Sequence, residues 1–182
     1  ETYTSKEDTF YKEINGYLRY YPGPYEWDGT GPEAAKVIVA DIDRIFSRVP
    51  ALPQDLVLFR GLGLGYHGNK PYAAGEEFTD KAYISTSASF KVAKYFAVDM
   101  DGENKDRKAI FAVYFSRPGE KGILFDQGED EVILKHGRKF RVMAARDMKR
   151  YDLYLVQACA DSCDTAISAP AERFWKGFSV HD

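Results

Sequence analysis

Three short stretches carry side chains whose types could do chemistry together. Phe59-Arg60-Gly61 closes the apolar run Leu56-Val57-Leu58-Phe59, whose length and composition predict a strand delivering Arg60 at its end. A guanidinium placed there offers a planar fork of donors that grips phosphate or carboxylate oxygens bidentately. Ser85-Thr86-Ser87 follows a second strand-like run, Tyr83-Ile84-Ser85, with Ser87 placed to cap a helix beyond it. Glu129-Asp130-Glu131 opens a third run, where an extended backbone projects Glu129 and Glu131 to one side and Asp130 to the other. Two carboxylates facing one site suit charge stabilisation and proton transfer. Taken singly, each stretch has an ordinary alternative: a surface arginine, a helix cap, a solvated acidic turn.

The elements that must position these residues are readable from periodicity. Thr4 and Glu7 form a capping box, and Phe10, Ile14, Tyr17, Leu18 and Tyr21 recur at helical spacing until Pro22-Gly23-Pro24. Thr30, Pro32 and Glu33 open a second helix with the apolar stripe Ala34, Ala35, Ile38, Ile42, Ile45 and Val49, ending at Pro50. After the strand at 56–59 comes a Gly-rich loop, then the Ser-Thr-Ser run and a helix carrying Val92, Ala93, Phe96 and Ala97. Strand-like runs follow at 109–115, 123–125, 131–134, 140–145 and 153–158, and the tail from Pro170 to Phe178 is expected to dock back as a short helix. Helices first and strands later, without βαβ alternation, predict an α+β fold with a mainly antiparallel sheet. No internal repeat or linker interrupts the chain, and one domain is expected over 1–182, with a helical lobe at 1–50, a core at 54–160 and a tail at 161–182.

Several chemistries are disfavoured. Gly63, Gly65 and Gly68 satisfy G-x-G-x-x-G, but Asn69, Lys70 and Pro71 lead into more loop rather than the helix whose N-terminus would receive a pyrophosphate. His67, His136 and His181 are scattered, so no metal site is expected, and no G-x-S-x-G supports a serine hydrolase. A net charge of -3 provides no overall field for a nucleic-acid backbone, and the basic run Lys135, Arg138, Lys139, Arg141, Arg146, Lys149 and Arg150 reads best as a solvated strand face. No apolar stretch approaches the roughly 18 residues of a membrane span. The chain opens at Glu1 rather than Met, as expected of a processed or excised segment. An extended segment would hold Cys159 and Cys163 too far apart to bond, whereas a turn through Asp161 and Ser162 would bring them together, so spacing leaves their pairing open.

The three stretches in this order resemble the ADP-ribosyltransferase family of the cholera-toxin-like Arg-Ser-Glu type. The resemblance takes in Gly75 and Phe78 leading through Lys81-Ala82-Tyr83-Ile84 into Ser-Thr-Ser. It also takes in the run from Gly128 to Val142, and the stretch from Ile14 to Arg19, which is similar to the family's helical lobe. It implies a two-sheet core and NAD as co-substrate, without metal. Arg60, Ser85, Glu129 and Glu131 are then the catalytic residues, and Arg60, Gly61, Ser85, Thr86 and Phe96 the NAD contacts. Phe96 takes the place of the family's ring-stacking aromatic, with core packing as its alternative. Cleavage of the bond from ribose to nicotinamide leaves an oxocarbenium-like centre, for which Glu131 is the stabilising carboxylate and Ser85 its support.

In the family, Glu at the position of Glu129 goes with arginine acceptors. The resemblance therefore implies transfer of ADP-ribose to an arginine of a target protein by a bacterial toxin or effector, secreted or delivered into a target cell. An inhibitor or immunity protein is a possible further partner; nucleic acid and membrane are not expected. The alternatives are an NAD glycohydrolase, in which Glu129 has no clear task, and a non-catalytic binding module on the same fold.

Overall fold

The computed structural model of the chain describes residues 8–25, 27, 31–100, 105–125, 130–160 and 162–180. Two helices, α1 (Asp8–Tyr20) and α2 (Gly31–Arg48), precede β1 (Val57–Gly63), a 3-10 turn (Leu64–His67), β2 (Glu77–Asp80) and β3 (Ile84–Ser87). Then come α3 (Phe90–Lys94), which runs on as a π-helical turn (Tyr95–Asp99), β4 (Lys108–Tyr114), β5 (Gly122–Phe125), β6 (Glu131–Leu134), β7 (Arg138–Asp147), β8 (Asp152–Cys159) and α4 (Ala169–Gly177). Thr4, Glu7 and Thr30, expected to open the first two helices, lie outside the described residues.

The helical lobe buries a stripe slightly different from the one expected. Ala35 and Phe46 of α2 are buried with Ile38, Val39 and Ile42 packed beside them, while Ile45 is exposed. The reason is Tyr83, whose ring stacks on Phe46 with centroids 6.0 Å apart and so sets the rotation of α2 over the strands. From α1, Ile14 joins the same cluster with Tyr83 and Ile133.

The strands follow the order β2-β7-β8-β4-β1-β3-β6-β5, antiparallel throughout except for the parallel pair β4 and β8. The α+β, mainly antiparallel expectation is met, but the division into two sheets becomes a seam within one. β1 pairs with β4 along its whole length, yet meets β3 only at Phe59↔Ser87. Five strands therefore lie on one side of that single pair and three on the other. β4 and β8 sit centrally and are buried on both faces. Phe111, Val113, Tyr154 and Val156 pack on one face, while Ile110, Ala112, Leu153 and Leu155 pack against α3 and α4 on the other, the period-2 alternation of a covered sheet.

The expected tail helix is present. Ser168 caps α4, its Oγ accepting from the Ala171 N–H at 3.3 Å. Arg146 closes the other end, donating to the carbonyls of Trp175 and Phe178 with its guanidinium 4.2 Å from the Trp175 ring centroid. The basic run is thus less solvated than expected. Besides Arg146, Lys139 and Arg141 both hold Glu77, Arg138 holds Glu120, Lys135 lies 3.9 Å from Asp43 and Arg150 3.5 Å from Asp99. Cys159 and Cys163 form a disulfide with their Cα atoms 4.9 Å apart, closing the question that their spacing left open.

Candidate active site

The seam between β1 and β3 is where the Arg60 and Ser85 stretches meet. Arg60 is not at a strand end, as expected, but in mid-strand, because β1 stays paired with β4 as far as Gly63↔Lys108. On its other edge β1 has already parted from β3, and a backbone carbonyl left unpaired there is costly. The half-buried Arg60 spans the gap, its Nη1 donating to the Ser85 carbonyl at 3.1 Å. That bond fixes the guanidinium beside Ser85, and its remaining N–H groups are donors suited to anionic oxygens.

Ser85 and Glu131 come together through the register of β3 on β6. Ser87 lies opposite Glu131 and Ser85 opposite Ile133, so Ser85 and Glu131 are diagonal neighbours on one face. The Ser85 hydroxyl donates to Glu131 Oε1. Thr86, between the two serines, has its buried hydroxyl donating to the Val132 carbonyl at 2.6 Å and is not presented with Ser85. Ser87 is not the helix cap: its Oγ accepts from the Ser89 N–H, and Ser89 caps α3. Asp130 departs from the extended conformation, with φ +47° and its carbonyl accepting from the Ala88 N–H. The alternation that put Glu129 on the side of Glu131 therefore does not carry across Asp130, and Glu129 lies outside the described residues.

Gly61 has a reason of its own. A Cβ there would overlap the Ala93 carbonyl oxygen and stand 2.8 Å from the Ala97 nitrogen, so glycine is what lets α3 and the π-helical turn lie against β1. The expectation that Gly61 admits a ligand thus has beside it a packing role on the face that carries Ala93 and Ala97. Phe90, on the first turn of α3, packs against Phe59, Tyr151 and Phe178. Phe96, by contrast, is half-buried on the π-helical turn with Tyr95 edge-on to it at 5.8 Å, and does not belong to the core cluster around Phe59. Gly61→Ala is expected to destabilise the fold by about 1–3 kcal/mol through overpacking against backbone that cannot rotate away. Urea denaturation checks it, and an unchanged midpoint would mean that α3 moves off β1 without cost.

A second cation, Arg19, lies at the turn that follows β1, although residue type and spacing single out only Arg60. From α1, the buried Asn15 accepts from the Tyr83 N–H at 3.0 Å, and Arg19 Nη2 donates to Asp80 Oδ1 at 3.4 Å. Asp80 Oδ1 also accepts from the Ala82 N–H, so the helical lobe grips both ends of the segment leading into Ser-Thr-Ser. Gly16 lies between them because the Tyr25 ring occupies the space of its missing Cβ. This gives physical content to the Ile14 to Arg19 stretch. The guanidinium of Arg19 also lies 5.0 Å from the centroid of Tyr66, on the turn that follows β1. The signal for Arg19 lies in that stretch, but only the docking of α1 brings its charge to β1. No group of three His, Cys, Asp or Glu among the described residues could hold a metal ion.

A cation, a hydroxyl and a carboxylate thus line the seam within mutual reach, an arrangement able to bind a dianionic ligand and stabilise positive charge developing beside Glu131. Among solved structures, the chain is similar to the Vis toxin, an ADP-ribosyltransferase from Vibrio splendidus, at 20% identity and a TM-score of 0.63, over 83% of this chain and 68% of that one. Exoenzyme S from Pseudomonas aeruginosa matches at 18% identity and a TM-score of 0.59, over 93% and 78%. An ADP-ribosyltransferase from Clostridium botulinum matches at 21% identity and a TM-score of 0.60, over 81% and 80%. At these identities the likeness is one of fold. No curated protein sequence matches the chain. The family model of the ADP-ribosyltransferase exoenzymes, however, matches residues 1–161. With that match spanning both the helical lobe and the strands that carry Arg60, Ser85 and Glu131, the chain belongs to the ADP-ribosyltransferase exoenzyme family, whose reaction is the transfer of ADP-ribose from NAD.

Proposed function

We propose that the chain is a single catalytic domain that transfers ADP-ribose from NAD to an arginine side chain of a target protein, releasing nicotinamide. The observation that carries the reading is the Ser85–Glu131 hydrogen bond set beside Arg60 at the seam. Arg60 pairs with pyrophosphate oxygens, for which a guanidinium fork is well shaped. Glu131 holds the ribose 2'-hydroxyl and sets its charge beside the anomeric carbon. As the C–N bond to nicotinamide breaks, its electron pair leaves with the nicotinamide nitrogen, and the carboxylate stabilises the oxocarbenium-like centre. Ser85 keeps that carboxylate from turning away. Gly61 and Thr86 line the NAD side, and Phe96 supplies a ring face. A guanidine nitrogen of the acceptor then attacks the anomeric carbon while Glu129 orients the guanidinium and takes its proton.

An arginine acceptor is supported by Glu129 and by the Vis toxin, which has been solved with agmatine, itself a guanidine. Exoenzyme S has been solved bound to a human 14-3-3 protein and to Carba-NAD, which supports partners of protein nature. A disulfide at Cys159 and Cys163 fits passage through an oxidising compartment, as in secretion or delivery to a target cell. Labelled NAD incubated with and without polyarginine tests the whole reading. Label transferred to polyarginine supports it; nicotinamide release with no transfer would instead identify an NAD glycohydrolase. Arg60→Ala is expected to weaken NAD binding at least tenfold by calorimetric titration, the scale of a lost charge-assisted contact, while thermal unfolding stays cooperative. Unchanged affinity would make Arg60 only a brace for the Ser85 carbonyl.

A further inference from the structure

The 3-10 turn that closes β1 sends two rings in opposite directions. Tyr66 stands out into solvent at 76% exposure, with the Arg19 guanidinium 5.0 Å from its centroid. His67 turns inward, edge-on to Tyr72, Phe78 and Phe111 with centroids 5.9, 5.2 and 5.9 Å away. Its Nδ1 is hydrogen-bonded to the Tyr72 hydroxyl at 2.7 Å. From there a chain of bonds crosses the sheet. The Tyr72 N–H donates to the Tyr154 hydroxyl at 3.1 Å, that hydroxyl donates to Asp152 Oδ2 at 3.1 Å, and Asp152 is held by Nε and Nη2 of Arg107. His67 is the last link of this chain, on the turn that follows the strand bearing Arg60.

The segment it anchors is one that would not hold itself. Gly63, Gly65, Gly68 and Gly75 punctuate residues 63–75, with φ +77° at Gly68 and +94° at Gly75, and ordering such backbone is entropically costly. Leu64 N–H to the Arg107 carbonyl and Asn69 N–H to the Leu64 carbonyl, both at 2.8 Å, secure the base of the turn. The Tyr72 N–H bond to the Tyr154 hydroxyl ties its far side to β8, and His67 holds the Tyr72 hydroxyl from within the turn. Burial holds the His67 imidazole below its ordinary value; Asp80 pulls the other way, and Arg60 and Arg19 add to the depression. The Tyr72 hydroxyl is pushed up to about 12, first by burial and then by Glu76, Tyr154 and Asp80. At neutral pH both partners are therefore uncharged, and the link forms without adding a third cation to the field of Arg60 and Arg19.

We propose that His67 is a positioning residue for NAD binding: by holding Tyr72 from inside the turn it pre-orders residues 64–75 as a wall beside Arg60 and Arg19. A wall already ordered spares the ligand the entropy of ordering it, so the effect falls on affinity rather than on the chemical step. The proposal rests on the reading of the Arg60 seam as the NAD site.

Calorimetric titration with NAD, and kcat and KM from nicotinamide release, test it on four proteins: wild type, His67→Ala, His67→Asn and Tyr72→Phe. His67→Ala is expected to raise Kd and KM about tenfold, the size of one lost part-buried hydrogen bond, with kcat within twofold of wild type. Tyr72→Phe keeps the ring and its packing, removes only the hydroxyl, and should reproduce that shift even if the alanine variant folds poorly. His67→Asn, which restores an acceptor near the position of Nδ1, should recover most of the affinity. Unchanged Kd in Tyr72→Phe, or a fall in kcat at constant KM, overturns the proposal while leaving the transferase reading intact. Wild-type protein that does not bind NAD overturns both.

Discussion

Glu131→Ala is expected to abolish NAD cleavage and ADP-ribose transfer together, by a hundredfold or more, while NAD binding survives. The expectation follows from where the charge is needed. In the ground state the nicotinamide ring carries the positive charge; as the glycosidic bond breaks, that charge moves to the ribose ring, beside the position proposed for the Glu131 carboxylate. An anion fixed there before the reaction stabilises the transition state more than the bound substrate, and removing such a group typically costs about 3 kcal/mol, or a hundredfold in rate. The carboxylate is fixed: it begins β6, is paired in the sheet with Ser87 and Phe125, and accepts the Ser85 hydroxyl. Single-turnover nicotinamide release, with NAD affinity measured in parallel, separates chemistry from binding. A variant that cleaves NAD at a near-normal rate would remove Glu131 from the mechanism. One that loses binding as steeply as turnover would make it a ground-state contact.

Glu129→Gln is expected to separate two activities that Glu131→Ala loses together. Bond cleavage depends on groups around the ribose, whereas capture by arginine depends on an anion that orients a cationic guanidinium and accepts its proton. Glutamine keeps the size and removes the charge. Transfer to an arginine-rich acceptor should therefore fall a hundredfold or more, while slow hydrolysis of NAD to ADP-ribose and nicotinamide persists, because water needs no such steering. Labelled NAD with and without acceptor reads both rates. Equal loss of the two would place Glu129 in the first chemical step, and persistent transfer would point to another acceptor side chain. The left-handed Asp130 makes this experiment more informative, since simple strand alternation no longer argues that Glu129 and Glu131 share a face.

Local rules explain how much of this is readable from the residues alone. Helical and strand periodicities depend only on neighbouring residues, so α1, α2, the later strands and the docked tail helix are visible as patterns of apolar positions. β2 is not: this edge strand is only four residues long, and its inward positions are Phe78, packed on the core, and the buried Asp80, so a single apolar residue alternates with exposed Glu77 and Thr79 and leaves no apolar stripe to read. The chemistry-bearing types, Arg60, Ser85 and Glu131, can be picked out because few side chains suit their tasks. Their meeting cannot be read, because it depends on pairing between distant strands: the register of β3 on β6 makes Ser85 diagonal to Glu131, and the parting of β1 from β3 after one pair opens the gap that Arg60 spans. Gly61 shows the same division. Its sequence context admits a close approach of some group, but only the packed fold shows that α3 occupies that space. Residue type and spacing are properties of the chain by itself, whereas register, the seam and the inward turn of His67 arise from long-range contacts that no local window contains.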